Sequence, residues 1–258
     1  MMRRHQLTDG PDRWAHSSQR GAPRRPRYRV SLRQLTEAQK PGAGVPAYLR
    51  WVNRSLGRRA AAAAHVVGLT PNGVTALSAL FSLAGLALIC VTPGTIWGAV
   101  ASSAALLVGY ALDSADGQLA RLTRSGSRAG EWLDHVVDAV RLPLTHLAIA
   151  IGLFRRDVDL EIVGIALAFL VLSSTWFFAQ TLADKLSPDA TSAPGSSAPA
   201  WVSFVKLPYD TGFLYLLVLA TPWLAVFVPL YAALFVGTAG VALLSMRRKY
   251  KSLRSVVA

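Results

Sequence analysis

"LDSADGQLARLTRSGSRAGEWLDHVVDAVR", residues 112–141, sets four aspartates between two long apolar runs. Asp113 and Asp116 are three residues apart, and Asp134 and Asp138 are four apart. At these spacings each pair shares one helical face. If the two faces meet, four carboxylates converge on one small volume, where they repel one another and lose hydration. Divalent cations resolve that conflict. An oxygen-only ligand set suits Mg²⁺ or Mn²⁺, and zinc is disfavoured without a nearby His or Cys set. Two such ions about 3.5–4 Å apart clamp the attacking and leaving oxygens of a phosphoryl displacement. Gly117, Ala120 and Gly130 are small enough for a neighbouring helix or a ligand to come close to the backbone. Arg121, near the same level, is placed to hold a diphosphate. The plainer alternative is that the aspartates cap helices and pair with Arg124, Arg128 and Arg141. Four acids at matched spacings at a membrane edge favour the functional reading, because such groups are costly there.

The composition around this stretch is that of a membrane protein. Of 258 residues 52% are hydrophobic and only 16% charged, which predicts an all-α polytopic membrane protein. Six apolar segments are expected to span, at 72–91, 96–112, 133–154, 162–182, 211–226 and 229–246, each near the length a bilayer requires. A juxtamembrane amphipathic helix precedes them over 45–68, with Tyr48, Leu49, Val52 and Leu56 at helical spacing and Arg50, Arg54, Arg58 and Arg59 on other faces. Residues 1–44 read as a basic, disordered cytosolic tail, 69–246 as the six-helix domain and 247–258 as a second basic tail. "SPDATSAPGSSAPAW", 187–201, reads as a linker.

The net charge of +13 does not point to nucleic acid. The basic residues bracket the apolar part, as charges facing anionic headgroups do. Their distribution places both termini in the cytosol of a multi-pass cell-membrane protein, with an even number of spans. Arg155 and Arg156 then fall on the outer side as a mild exception. Cys90 is the single cysteine, so neither an internal disulfide nor a cysteine metal site is possible.

Asp113, Asp116, Gly117, Ala120, Arg121, Gly130, Asp134 and Asp138 spell D-x2-D-G-x2-A-R-x8-G-x3-D-x3-D. This pattern resembles the signature of the CDP-alcohol phosphatidyltransferase family at every fixed position. The similarity extends upstream to "LTPNGVT", residues 69–75. The resemblance implies a six-helix membrane transferase of phospholipid biosynthesis, commonly a homodimer. Such an enzyme moves a substituted phosphoryl group from a CDP-linked lipid donor, such as CDP-diacylglycerol, to an alcohol or phosphorylated alcohol and releases CMP. It further implies two divalent cations, Mg²⁺ or Mn²⁺, held by Asp113, Asp116, Asp134 and Asp138. Asp138 would also act as general base. Gly117, Ala120, Arg121 and Gly130, with Asn72 and Thr75, would form the CDP pocket.

The acceptor residues are less specified. Arg141 stands one turn past Asp138 and could read a phosphate on the alcohol or form a salt bridge to a motif aspartate. Lys185 and Lys206 fall at expected cytosolic helix ends, where they could bind an anionic acceptor or snorkel to headgroups. His135 and His146 fit polar helix contacts better than catalysis, and Trp132 fits the interfacial aromatic belt. "VNRSLGRR" followed by "LTPNGVT" also looks similar to relatives that join polar alcohols from CDP-inositol. An intramembrane prenyltransferase shares the aspartate–magnesium chemistry but not the D-G-x2-A-R core. A transporter would carry its acids near the midplane rather than at one edge.

Overall fold

The computed structural model describes residues 27–38, 45–187, 203 and 210–255. Most of the expected N-terminal tail, nearly all of the linker and Lys206 lie outside the described residues. The described chain is helical and contains no strand. Its elements are α1 (Tyr28–Glu37), a π-helical turn (Leu49–Asn53), α2 (Arg54–Val67), α3 (Pro71–Val91), α4 (Ile96–Thr123), α5 (Arg128–Phe154), α6 (Leu160–Leu186), α7 (Thr211–Leu217) with a 3₁₀ turn to Ala220, and α8 (Leu224–Ser255).

Five of these, α3, α4, α5, α6 and α8, are long and apolar enough to cross a membrane, making this a multi-pass membrane protein. The six-span expectation needs correction at 211–226. The apolar helix there covers only Thr211–Ala220, about 15 Å at 1.5 Å per residue, half of a hydrocarbon core. The chain turns at Pro222, with the Trp223 N–H donating to the Ala220 carbonyl at 2.9 Å. The last helix therefore starts at Leu224, not Pro229, and runs through that proline. Residues 28–37, read as part of a disordered tail, form α1 instead. Leu35 and Ser31 are buried there, and the Ser31 hydroxyl bonds His65 Nδ1 on α2 at 2.9 Å.

Local sequence sets the helix starts. Thr70, Thr95 and Ser127 accept from the N–H groups of Gly73, Gly98 and Gly130 at 3.0–3.1 Å, capping α3, α4 and α5. Pro71 occupies the first turn of α3, where no N–H is needed. At 28 residues α4 is about 42 Å long, so its last turns extend beyond a core about 30 Å thick. Asp113 and Asp116 sit about 26 and 30 Å from its start, and Asp138 and Asp134 about 24 and 30 Å from the far end of α5. Both pairs thus stand near one edge of the core. The short connection Arg124–Ser127 returns α5 beside α4 in the opposite direction.

Small residues set the closest packing. Ser78 Oγ donates to the Gly109 carbonyl at 2.8 Å, and a Cβ on Gly109 would lie 3.0 Å from the Ser78 carbonyl oxygen. Gly85 meets Ser102 and Leu106 in the same α3–α4 seam. Close backbone approach through small side chains is how helices pack tightly in lipid. Gly57 lets α2 cross α4 at Ser114, directly beside Asp113. Helix α2 buries Gly57, Ala61, Ala62 and Ala64 against the bundle, while Val52 and Leu56 stay exposed. Asp210 ties α7 to the π-helical turn, accepting from the N–H of Gly212 and of Leu49, both at 3.0 Å. Burial pushes its carboxyl up from the usual range, and these two donors hold it back. At the other end of the bundle Arg156 donates to the carbonyls of Thr221 and Pro222. That gives a physical reason for a cation at that end: two turn carbonyls need donors.

Candidate metal and nucleotide site

Ligand oxygens of Asp113, Asp134 and Asp138 all lie within 4.8 Å of one another. Asp113 comes from α4, the other two from successive turns of α5, so the cluster depends on the α4–α5 connection. Asp116, in contrast, is turned away. Its Oδ2 accepts from Thr75 Oγ1 at 2.6 Å and its Oδ1 from the Gly117 N–H. It is the most buried of the four and remains within electrostatic reach of Asp134 and Asp138.

Arg141 is the counter-charge inside this group. Its Nη2 donates to Asp113 Oδ1 at 2.9 Å and also to Asp138 Oδ1. The guanidinium is buried, and its carbon lies 5.9 Å from the centre of the Tyr110 ring. Of the sequence's two readings for Arg141, this geometry is the salt bridge. Among the described residues Arg141, rather than Arg124 or Arg128, pairs with the aspartates. Pro143 follows two residues later inside α5 and has no N–H to offer the Ala139 carbonyl one turn back. The helix is therefore weakest in backbone bonding just past Asp138.

Beside the aspartates a cavity of about 710 Å³ opens. Asn72 and Thr75 from α3, Asp116, Gly117, Ala120 and Arg121 from α4, and Gly130 and Asp134 from α5 line it. Arg124, Ser125, Ser127 and Arg128 of the connecting loop complete the wall. Sequence reasoning considered Arg124 and Arg128 only in the alternative that pairs them with the aspartates, and did not consider the serines. Arg124 adopts φ 52°, ψ 33° at the α4 C-cap, a left-handed position where glycine is commoner. Gly117 faces open space: a Cβ there would meet only Arg121 Nη1, at 3.5 Å. Protein packing does not require glycine at that position, although it weakens a helix interior by roughly 1 kcal/mol relative to alanine.

Residues 68–244, more than two thirds of the chain, match the family model of CDP-alcohol phosphatidyltransferase. The chain belongs to that family. A search of curated proteins found none that matches it. CDP-alcohol phosphatidyltransferases are transferases that use divalent metals, and the acidic cluster of this member fits such ions. The donor set is all carboxylate, the oxygens converge, and one guanidinium cannot balance the charge of Asp113, Asp134, Asp138 and nearby Asp116.

Lys185 stands apart from that cluster. It is exposed and its Nζ bonds Glu131 Oε1 at 2.7 Å on the rim of the cavity. His146 bonds Tyr231 Oη through Nδ1 at 2.7 Å and stacks on Phe169 with ring centres 3.9 Å apart. That is a polar helix contact, joining α5 to α8. His135 lies against Phe177 and near Glu131.

Proposed function

We propose that this protein transfers a substituted phosphoryl group, most simply phosphatidyl from CDP-diacylglycerol, to an alcohol with release of CMP. The observation that carries the reading is the 710 Å³ cavity whose wall combines Gly117, Arg121 and Gly130 with the carboxylates of Asp116 and Asp134. A cytidine diphosphate would lie there with its phosphates between Arg121 and the acidic cluster. Asp113, Asp116, Asp134 and Asp138 would hold two divalent cations, Mg²⁺ or Mn²⁺. Asp116 would do so after giving up its bond to Thr75. The ions supply charge neutralisation for the diphosphate. Arg141 holds Oδ1 of Asp138, fixing the carboxylate, and Oδ2 is the atom we assign to the proton of the attacking hydroxyl. A new P–O bond forms to the acceptor as the P–O bond to CMP breaks.

Placement of the acids near one edge of the apolar span supports a lipid-linked donor, since its diphosphate and its tail belong to different media. A CDP-inositol donor is the second reading, favoured by the Arg-rich α2 beside the site. The site would face the cytosol, with the exposed Val52 of the π-helical turn and Leu56 of α2 at the membrane surface. Homodimer formation is part of the same proposal.

The test is incubation of the purified protein with CDP-diacylglycerol or CDP-inositol, Mn²⁺ or Mg²⁺ and a panel of alcohols, with CMP and product identified by mass. Metal-dependent CMP release is the expected result. Absence of CDP binding in the presence of either ion would end the proposal. Asp116→Asn is expected to abolish metal-dependent donor binding.

A further inference from the structure

A second cavity, of about 250 Å³, lies between α5, α6, α7 and α8. It continues the same face of α5 that carries the catalytic acids. Leu142 in its wall is four residues past Asp138, about 6 Å along the helix, and Thr145 follows one turn later. The remaining wall is mainly apolar and aromatic, with Phe169, Trp176, Leu214 and Leu234. Phe169 is held in place by its stack with His146. The polar groups are hydroxyls, the Gln180 amide, the Trp176 indole N–H, the His146 imidazole bonded to Tyr231, and the carboxyl of Asp210.

Charge decides what this space fits. Among the described residues no lysine or arginine lines it. Arg141, the nearest cation along α5, is spent on Asp113 and Asp138, and Lys185 is bound to Glu131. A phosphorylated alcohol would bring its charge beside Asp210 and the acidic cluster with no cation among the described residues to receive it, and an unpaired buried charge is strongly unfavourable. An apolar body gains by leaving water, and a single hydroxyl at its end would reach the level of Asp138.

We propose that this cavity is the acceptor site and that the acceptor is an uncharged alcohol with an apolar body, an assignment that rests on the phosphotransferase reading above. The four aspartates then stand between a polar cavity for the nucleotide donor and an apolar one for the alcohol. In the transfer the acceptor oxygen bonds to phosphorus, its proton passes to Asp138, and CMP leaves with the electron pair of the broken P–O bond. The product is a phosphodiester with apolar groups on the acceptor side.

The experiment uses the full-length protein in lipid nanodiscs with Mn²⁺, CDP-diacylglycerol and a bromine-tagged decyl alcohol as probe. Bromine quenches tryptophan fluorescence at contact. The expected result is saturable quenching that disappears in Trp176→Phe, and that needs at least tenfold more alcohol in Ser173→Phe, where the added ring fills the cavity. CMP release should follow addition of the decyl alcohol and not of glycerol 3-phosphate, inositol phosphate or serine. Quenching unchanged in Trp176→Phe, or transfer confined to the phosphorylated or polar alcohols, would overturn the acceptor assignment. Trp176→Phe is conservative enough to keep this arm decisive if Ser173→Phe does not fold. Failure of the wild type to bind CDP with Mn²⁺ marks failure of the phosphotransferase reading itself.

Discussion

Arg141 on α5 and Asp113 on α4 are joined by a 2.9 Å ion pair, and the same nitrogen of Arg141 also holds Asp138. One cation thus links both helices that supply the acidic cluster. Without it the carboxylates lose their only close positive partner among the described residues. Arg141→Gln is expected to destabilise the fold by about 3 kcal/mol, the lower end for a broken buried pair, because Asp113 and Asp138 retain some exposure. Mn²⁺ should restore more stability to the variant than it adds to wild type. Thermal melts in detergent with and without Mn²⁺ check this, and equal shifts in both proteins would remove Arg141 from the counter-charge role.

Asp138→Asn keeps the shape of its side chain and removes its basicity. Asp113 and Arg141 remain paired in that variant. Binding of CDP with Mn²⁺ is expected to persist while turnover falls at least ~100-fold, the scale of general-base catalysis. Isothermal titration and CMP release separate the two quantities, and near-normal turnover would take the base role away from Asp138.

Gly117 is the clearest case of stability set against binding. Alanine would meet only Arg121 Nη1 at 3.5 Å and has the better helix propensity. Gly117→Ala is therefore expected to raise stability by about 0.5–1 kcal/mol while weakening CDP binding, because its methyl occupies the nucleotide cavity. A variant that binds CDP as tightly as wild type would show that the ligand does not approach this turn.

Gly109 makes the opposite prediction for the α3–α4 seam. Its missing Cβ would lie 3.0 Å from the Ser78 carbonyl, so Gly109→Val must push the helices apart. The expected loss is about 1–3 kcal/mol, as for overpacking elsewhere. Because Asp113 is one turn further along α4, metal-dependent CDP binding should weaken as well. A stable variant with unchanged binding would show that the seam does not position Asp113.

Much of the site was legible because it is encoded at short range. Spacings of three and four residues put Asp113 with Asp116 and Asp134 with Asp138 on single helical faces, and apolar runs mark the long spans. The partner of each side chain was not legible. Asp116 turns to Thr75, 41 residues away, and Lys185 finds Glu131, 54 residues away. No local rule pairs residues at such distances. The apolar segment after Asp210 misled for a related reason: hydropathy counts residues, while the turn at Pro222 depends on carbonyls that Arg156 reaches from another helix.

By itself the sequence determined a helical membrane protein with four carboxylates near one edge of its apolar spans, since periodicity and hydropathy act locally along the chain. Tertiary structure alone decided that three of those carboxylates converge, that Arg141 pairs with two of them, and that a polar and an apolar cavity flank them. Convergence depends on how closely α2, α3, α4 and α5 approach, and that distance is set by side-chain contacts at Gly57, Ser78 and Gly109 between segments far apart in sequence.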